Sequence, residues 1–216
     1  MRVIAFNGSP RLRSTTATLL RKALEGAAWK GAETEFIHLD SIRMKGCLSC
    51  FACKLRGGSS YGRCKQRDGM TPLYAKIEAA DAIILGTPIY FGSVTAQAKL
   101  FLDRLYPYIS YADHKSIFPK KIHTGVIFTA GISPEYQKLF EPPVKFVGIV
   151  LGNILGPCET MWSVDTMHVK DYTKIVADSV EPQLERKFKH QREVFPKDCE
   201  KAFEMGARFA SGPPQG

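Results

Sequence analysis

No stretch of this chain carries the roughly 18 consecutive apolar residues that a membrane-spanning helix needs. Nor does it open on a basic segment leading to a signal core: Arg2–Phe6 (RVIAF) runs straight into Asn7-Gly8-Ser9-Pro10. Both absences argue against membrane insertion and export, so a cytoplasmic location is expected. GxGxxG and GxxxxGK[ST] are missing too, which excludes the usual signatures for a dinucleotide pyrophosphate or ATP. No Ser–His–Asp set or paired-carboxylate arrangement stands out. Acidic residues are scarce, 21 against 30 Lys and Arg, leaving a formal net charge of +9. That excess suits polyanions: nucleic acid, a phosphorylated cofactor or an acidic electron-transfer protein. Without a finger, homeodomain, RRM or helix-turn-helix pattern, nucleic acid is the least supported of the three.

What is present fits one α/β domain: 216 residues, 44% hydrophobic and 24% charged, with no internal repeat and no linker. Four of the six cysteines (Cys47, Cys50, Cys53, Cys64) fall in residues 41–70. In a reducing compartment such crowding points to metal or redox chemistry rather than structural disulfides. Three thiols at a repeat of three can converge where the backbone winds tightly, with the fourth arriving from a separate turn. An iron–sulfur cluster, a zinc site and plain surface thiols all remain open on spacing alone.

The short apolar run Arg2–Phe6 reads as a buried parallel strand. A small-residue loop follows, and then a helical pattern from Ala17 to Ala27. Strand, loop and hydroxyl-rich helix start form an anion site: free backbone N–H groups, the helix dipole and short hydroxyl bonds converge there. Ser9, Ser14, Thr15 and Thr16 offer hydroxyls, Arg11 and Arg13 offer charge, and a phosphate monoester is the expected guest. Ser14 also reads as a plain helix N-cap. Glu33–Leu39 alternates like a strand nearer the sheet edge, with His38 on its solvated side. A helix over Thr71–Ala80 leads to a third strand, Ala82–Gly86. Its carboxyl end carries Pro88, Ile89, Tyr90, Phe91 and Gly92 before a helix from Val94 to Leu105. Open α/β sheets bind ligands at such strand ends, and this turn could face a flat ring.

Together GSPR at 8–11, GCxxCxxC at 46–53 and TPIYFGSVTAQAKLFLDR at 87–104 resemble the NADPH-dependent FMN reductase-like branch of the flavodoxin superfold. Within it they are most similar to the iron–sulfur flavoproteins. The resemblance covers about residues 1–165. It implies an α/β flavodoxin-like, doubly wound, five-stranded parallel sheet of order 2-1-3-4-5, with helices on both faces. It further implies FMN as cofactor and a [4Fe–4S] cluster on Cys47, Cys50, Cys53 and Cys64. Single electrons would pass from a ferredoxin-like donor to FMN, for two-electron reduction of oxygen, peroxide or a quinone. A cluster-free NAD(P)H-dependent FMN or quinone reductase is the alternative, and a zinc-stabilised, non-enzymatic binding module a second. Flavin sites near subunit interfaces make a homodimer or homotetramer the expected assembly. Two departures stand out: ten residues separate Cys53 from Cys64, and Asp68-Gly69-Met70 replaces Asp-Asp-Met. The glycines at 57, 58 and 62 would let the longer loop fold back.

Tyr106–Lys121 is an aromatic, basic insertion that reads as a connecting loop, a subunit contact or a lid. Ile122–Ala130 is the fourth strand, and Ala130 and Gly131 after it complete the expected ring contacts. A helix over about 134–155 is interrupted at Pro142-Pro143, and Cys158–Val164 is the fifth strand. From about 166 the pattern is a helical extension broken at Pro196, in which Cys199 is a lone thiol. Residues 1–210 are expected to form one domain, with 211–216 a disordered tail.

Overall fold

The computed structural model describes residues 1–214. Five strands form a parallel sheet: β1 (Arg2–Asn7), β2 (Glu33–His38), β3 (Ala82–Tyr90), β5 (His123–Thr129) and β6 (Cys158–Ser163). Their order is β2-β1-β3-β5-β6, and a two-residue strand, β4 (Ser93–Val94), pairs antiparallel with the end of β3. Leaving β4 aside, this is the doubly wound order 2-1-3-4-5. β3 is longer than the sequence suggested. It runs through Thr87–Tyr90 because Ile89 and Tyr90 pair with Val94 and Ser93.

Alternation along the buried strands sends neighbouring side chains to opposite faces. Ile4, Phe6, Ile83, Leu85, Val126 and Phe128 pack on α2 (Thr71–Ala79), α3 (Ala96–Asp103) and α4 (Gln137–Ile154). Val3, Ala5, Ile84 and Ile127 pack instead on α1 (Thr15–Trp29) and, after α5 (Leu184–Glu193), on α6 (Phe195–Phe209). The two helices α1 and α6 approach closely. A Cβ at Gly26 would lie 1.9 Å from the Phe203 carbonyl oxygen, and one at Gly206 would lie 1.7 Å from that of Ala23.

Proline behaves differently from expectation in two places. Pro142 and Pro143 lie inside α4 without breaking it. Both are exposed, as are Lys138 and Leu139, whose carbonyls lose their helical partners and face water, while Val144, Gly148, Leu151 and Ile154 anchor the buried side. Pro196 does not interrupt a helix but starts one, in the first turn of α6, where its missing N–H costs nothing. In the tail, the His123 ring meets the Gly212 carbonyl at 3.0 Å, and residues 215 and 216 lie outside the described residues. No described helix is long and apolar enough to cross a membrane.

Candidate functional site

A cavity of about 910 Å³ opens at the carboxyl ends of β1, β3 and β5. Its floor is the loop that leads into α1. Asn7, fully buried, accepts from Ser9 N through Oδ1 (3.2 Å), and its Nδ2 contacts the Arg11 carbonyl (3.4 Å) and His38 Nδ1 (3.0 Å). His38 is therefore half-buried and tied to the loop, not merely solvated. Ser9 Oγ accepts from Arg11 N (3.2 Å), and Ser14 Oγ caps α1 by accepting from Ala17 N (3.2 Å). The Thr16 and Thr129 hydroxyls share a hydrogen bond of 2.7 Å that ties the helix start to the end of β5.

Ser9, Arg11, Ser14, Thr15, Thr16, Pro88, Ile89, Tyr90, Ala130 and Gly131 all line this one cavity. Phe91 and Gly92 do not: they form the tip of the β3–β4 hairpin, both with positive φ, and Phe91 is fully exposed. Sequence reading missed one wall entirely. Thr166 to Lys170, just beyond β6, and Gln191 on α5 close the cavity. The available signal was position, since these residues follow a strand end on the same sheet edge.

That wall is pinned from below. Lys187, 1% exposed, donates to the Gly131 carbonyl (2.6 Å) and to Asp165 Oδ1 (2.9 Å), while Arg186 grips both Asp165 oxygens (2.8 and 3.1 Å). Burial would raise the Asp165 pKa, but these two cations outweigh it and hold the carboxyl below its ordinary range. Arg11 Nη1 donates to the His168 carbonyl, linking floor to wall. Burial, with the Lys187 and Arg11 charges, lowers the His168 pKa and favours the neutral ring. No carboxylate lines the cavity, whereas Arg11, Arg13, Arg21 and Lys170 do. The space therefore suits an anionic guest.

A second, small pocket is lined by Cys47, Cys50, Cys53 and Cys64 together. Ser49 and Phe51, between the first three cysteines, both adopt left-handed φ (52° and 55°), an uncommon conformation for residues with side chains. The backbone therefore winds tightly between these three cysteines. Gly57 and Gly62 take φ of 69° and 70°, and Gly62 N donates to the Cys53 carbonyl (3.0 Å), folding the long loop back so that Cys64 reaches the pocket. Burial outweighs the neighbouring Lys54 charge and pushes the Cys53 thiol up, with Cys64 and Cys47 adding to the rise.

The aromatic insertion braces this loop from within the same chain. Lys54 Nζ donates to the carbonyls of Tyr106 (2.7 Å), Pro107 (3.3 Å) and Ile109, and Phe51 stands edge-on to Tyr106 and Tyr111. All six cysteines are free thiols. Among the described residues no three His, Cys, Asp or Glu side chains are arranged as a formed metal site.

A family profile described as NADPH-dependent FMN reductase matches residues 1–135. The chain belongs to that family. Within this FMN reductase family it is 42% identical over 107 residues to an iron–sulfur flavoprotein of Methanocaldococcus jannaschii, covering 50% of this chain and 53% of the relative. An iron–sulfur flavoprotein of Archaeoglobus fulgidus is 33% identical over 132 residues, or 61% and 56% of the two chains. The chain thus spans about half the length of the curated relatives it matches. Among solved structures, an NAD(P)H:quinone oxidoreductase from Methanothermobacter marburgensis superposes with a TM-score of 0.67 at 16% identity, over 99% of both chains. An FMN-dependent NADH-azoreductase from Bacillus anthracis, in complex with FMN, gives 0.65 at 12%, over 98% of this chain and 100% of that one. At these identities the structural likeness establishes a flavodoxin-like fold for this FMN reductase family member.

Proposed function

We propose that this chain is an FMN-dependent electron-transfer oxidoreductase whose four pocket cysteines hold a [4Fe–4S] cluster. The observation that carries it is the pairing of two sites: an acid-free cavity at the strand ends and a pocket walled by Cys47, Cys50, Cys53 and Cys64. When bound, FMN supplies two-electron chemistry and the cluster supplies single-electron transfer.

The protein's own residues bind, orient and bias. Ser9, Ser14, Thr15 and Thr16, with Arg11 and Arg13, receive the phosphate at the start of α1, where free N–H groups and the dipole favour an anion. Backbone groups of Pro88–Tyr90 and Ala130–Gly131, which line the same cavity, would contact the ring. No side chain needs to act as general acid or base. Helix α3 joins the two sites: its N-cap Thr95 donates to the Gly8 carbonyl (2.6 Å) beside the phosphate loop, and Arg104 at its other end lines the thiol pocket. Eight helical residues span about 12 Å.

The outer face of the cysteine loop supports an acidic, ferredoxin-like donor. Arg43, Lys45, Arg56, Arg63, Lys65 and Arg67 are exposed, and none forms an ion pair among the described residues. The acceptor is a small oxidant such as oxygen, peroxide or a quinone. The exposed apolar residues Leu139, Phe146 and Ile149 on α4 support a homodimer or homotetramer. Cysteines kept reduced for metal ligation suit a cytoplasmic setting.

A cluster-free, NAD(P)H-dependent FMN or quinone reductase is the second reading. It is favoured by the match of residues 1–135 to the FMN reductase profile, which spans the flavin cavity's floor and needs no metal. Anaerobic purification with iron, sulfide, zinc and flavin analysis separates the readings. Four iron and four sulfide per FMN is expected; FMN without iron establishes the second reading, and zinc in place of iron a structural site. Cys50→Ser should abolish iron while leaving FMN bound, and unchanged iron would remove Cys50 from the ligand set.

A further inference from the structure

The four cysteines share their pocket with one buried cation. The Arg104 side chain, directly after α3, is 1% exposed and lines the same pocket. Its Nη1 donates to the Lys45 carbonyl (2.8 Å) and to Asp68 Oδ2 (2.6 Å), and its Nη2 to Asp68 Oδ1 (3.2 Å). Lys45 precedes Cys47 and Asp68 follows Cys64, so a single guanidinium closes the neck of the cysteine loop. Asp68 strengthens the closure by accepting from the backbone N–H groups of Lys45 and Met70 (3.0 Å each).

The clamp uses only the two terminal nitrogens. Arg104 Nε, fully buried, has no hydrogen-bond partner among the described residues. A buried N–H left unpaired is costly, and for a guanidinium more so. All four cysteine sulfurs share its pocket, and among the described residues only Cys47 Sγ has a backbone donor, Ser49 N at 3.4 Å. Tyr74, whose hydroxyl donates to the Arg104 carbonyl (2.8 Å), holds the backbone of Arg104 in place. Asp68 and Tyr74 thereby position the charge, and Arg104 positions the loop.

We propose that Arg104 is a positioning residue for the thiol pocket: it latches the loop's neck and sets its charge, with a spare Nε–H, beside the cysteine sulfurs. A metal group held there is thereby made easier to reduce. The inference rests on the metal reading of the pocket. Reduction by one electron from a one-electron carrier adds one negative charge to a thiolate-held group and transfers nothing else. A fixed cation and a hydrogen bond to sulfur both favour the more negative state. Asp68 opposes this effect, because it carries the compensating negative charge.

The test is a redox titration of the full chain, reconstituted anaerobically with iron and sulfide. Wild type, Arg104→Gln, Arg104→Lys and Asp68→Asn are compared at matched iron content, with FMN binding as the check on folding. The midpoint potential should move negative in R104Q, less so in R104K, and positive in D68N. Opposite signs are the signature, since damage to a purely structural clamp would move both variants the same way. Potentials equal to wild type in R104Q and D68N overturn the proposal. If R104Q does not fold, D68N decides alone, and a null or negative shift overturns it. Wild-type protein that binds FMN but takes up no iron defeats the cluster reading instead. Arg104 is then judged by the alkylation rate of the pocket thiols in metal-free protein. That rate should fall several-fold in a folded R104Q, as the thiolates lose the neighbouring cation, and rise in D68N; rates equal to wild type overturn it.

Discussion

Ser9 shows how much one buried hydroxyl can organise. It is 2% exposed, its N–H is held by Asn7 and its Oγ by the Arg11 backbone, so it shapes the loop before any ligand arrives. Ser9→Ala should weaken FMN binding by about 1–3 kcal/mol, the cost of losing a bond to a charged group. A fluorescence titration of the flavin-free protein with FMN measures this, and an unchanged affinity would take Ser9 out of the phosphate site. His168 is the residue to watch as pH changes. Its folded pKa lies below the ordinary 6.5, so the unfolded chain takes up a proton first as pH drops. Its contribution is therefore full above about pH 6.5 and lost as pH falls through the lower folded value. Tm should decline on mild acidification, and His168→Asn should flatten that limb. A wild-type Tm that stays level from about pH 7 to about pH 5 would contradict the lowered pKa of this ring.

At the level of elements, the informative pair is α1 and α6. Gly26 and Gly206 each sit against a carbonyl of the facing helix, at separations no Cβ tolerates. Gly206→Ala should force the helices apart and cost about 1–3 kcal/mol or more, the usual range for overpacking. Chemical denaturation reads the loss directly. A variant as stable as wild type would mean that α6 can shift freely on α1. The cavity wall at 166–170 is reached through α5, which leads into α6. Loosening that contact should therefore also lower FMN affinity, although Gly206 lines no part of the cavity.

For the molecule as a whole, the net charge of +9 is unevenly used. Six cations of the cysteine segment form no ion pair among the described residues, and within residues 41–70 the only carboxylate is Asp68, already committed to Arg104. Oriented charge of this kind raises association rates with an acidic partner and is screened by salt. Reduction by an acidic one-electron carrier should slow about tenfold or more between low and high ionic strength. Charge reversal at Arg43 and Arg56, which line neither pocket, should slow it further, while reduction by dithionite stays unchanged. A salt-independent rate would move the docking surface elsewhere.

The strands, the small-residue loop before α1 and the cysteine triplet were legible because each is written in local pattern. Apolar runs bounded by Gly, Ser and Pro mark buried strands, and thiols at a repeat of three mark a tight winding. Those signals need no knowledge of distant residues, and they led to the fold and to both pockets. What they could not supply depends on chain segments far apart in sequence. Nothing near Arg104 says that its guanidinium meets Lys45 and Asp68, and nothing near Gly131 says that Lys187 will bind its carbonyl. Pro142 and Pro143 read locally as breakers; only the buried contacts of Val144 and Leu151 keep α4 whole. Local propensity chose the elements, whereas long-range packing and buried charge decided which of them closed the cavity and what stands behind the thiols.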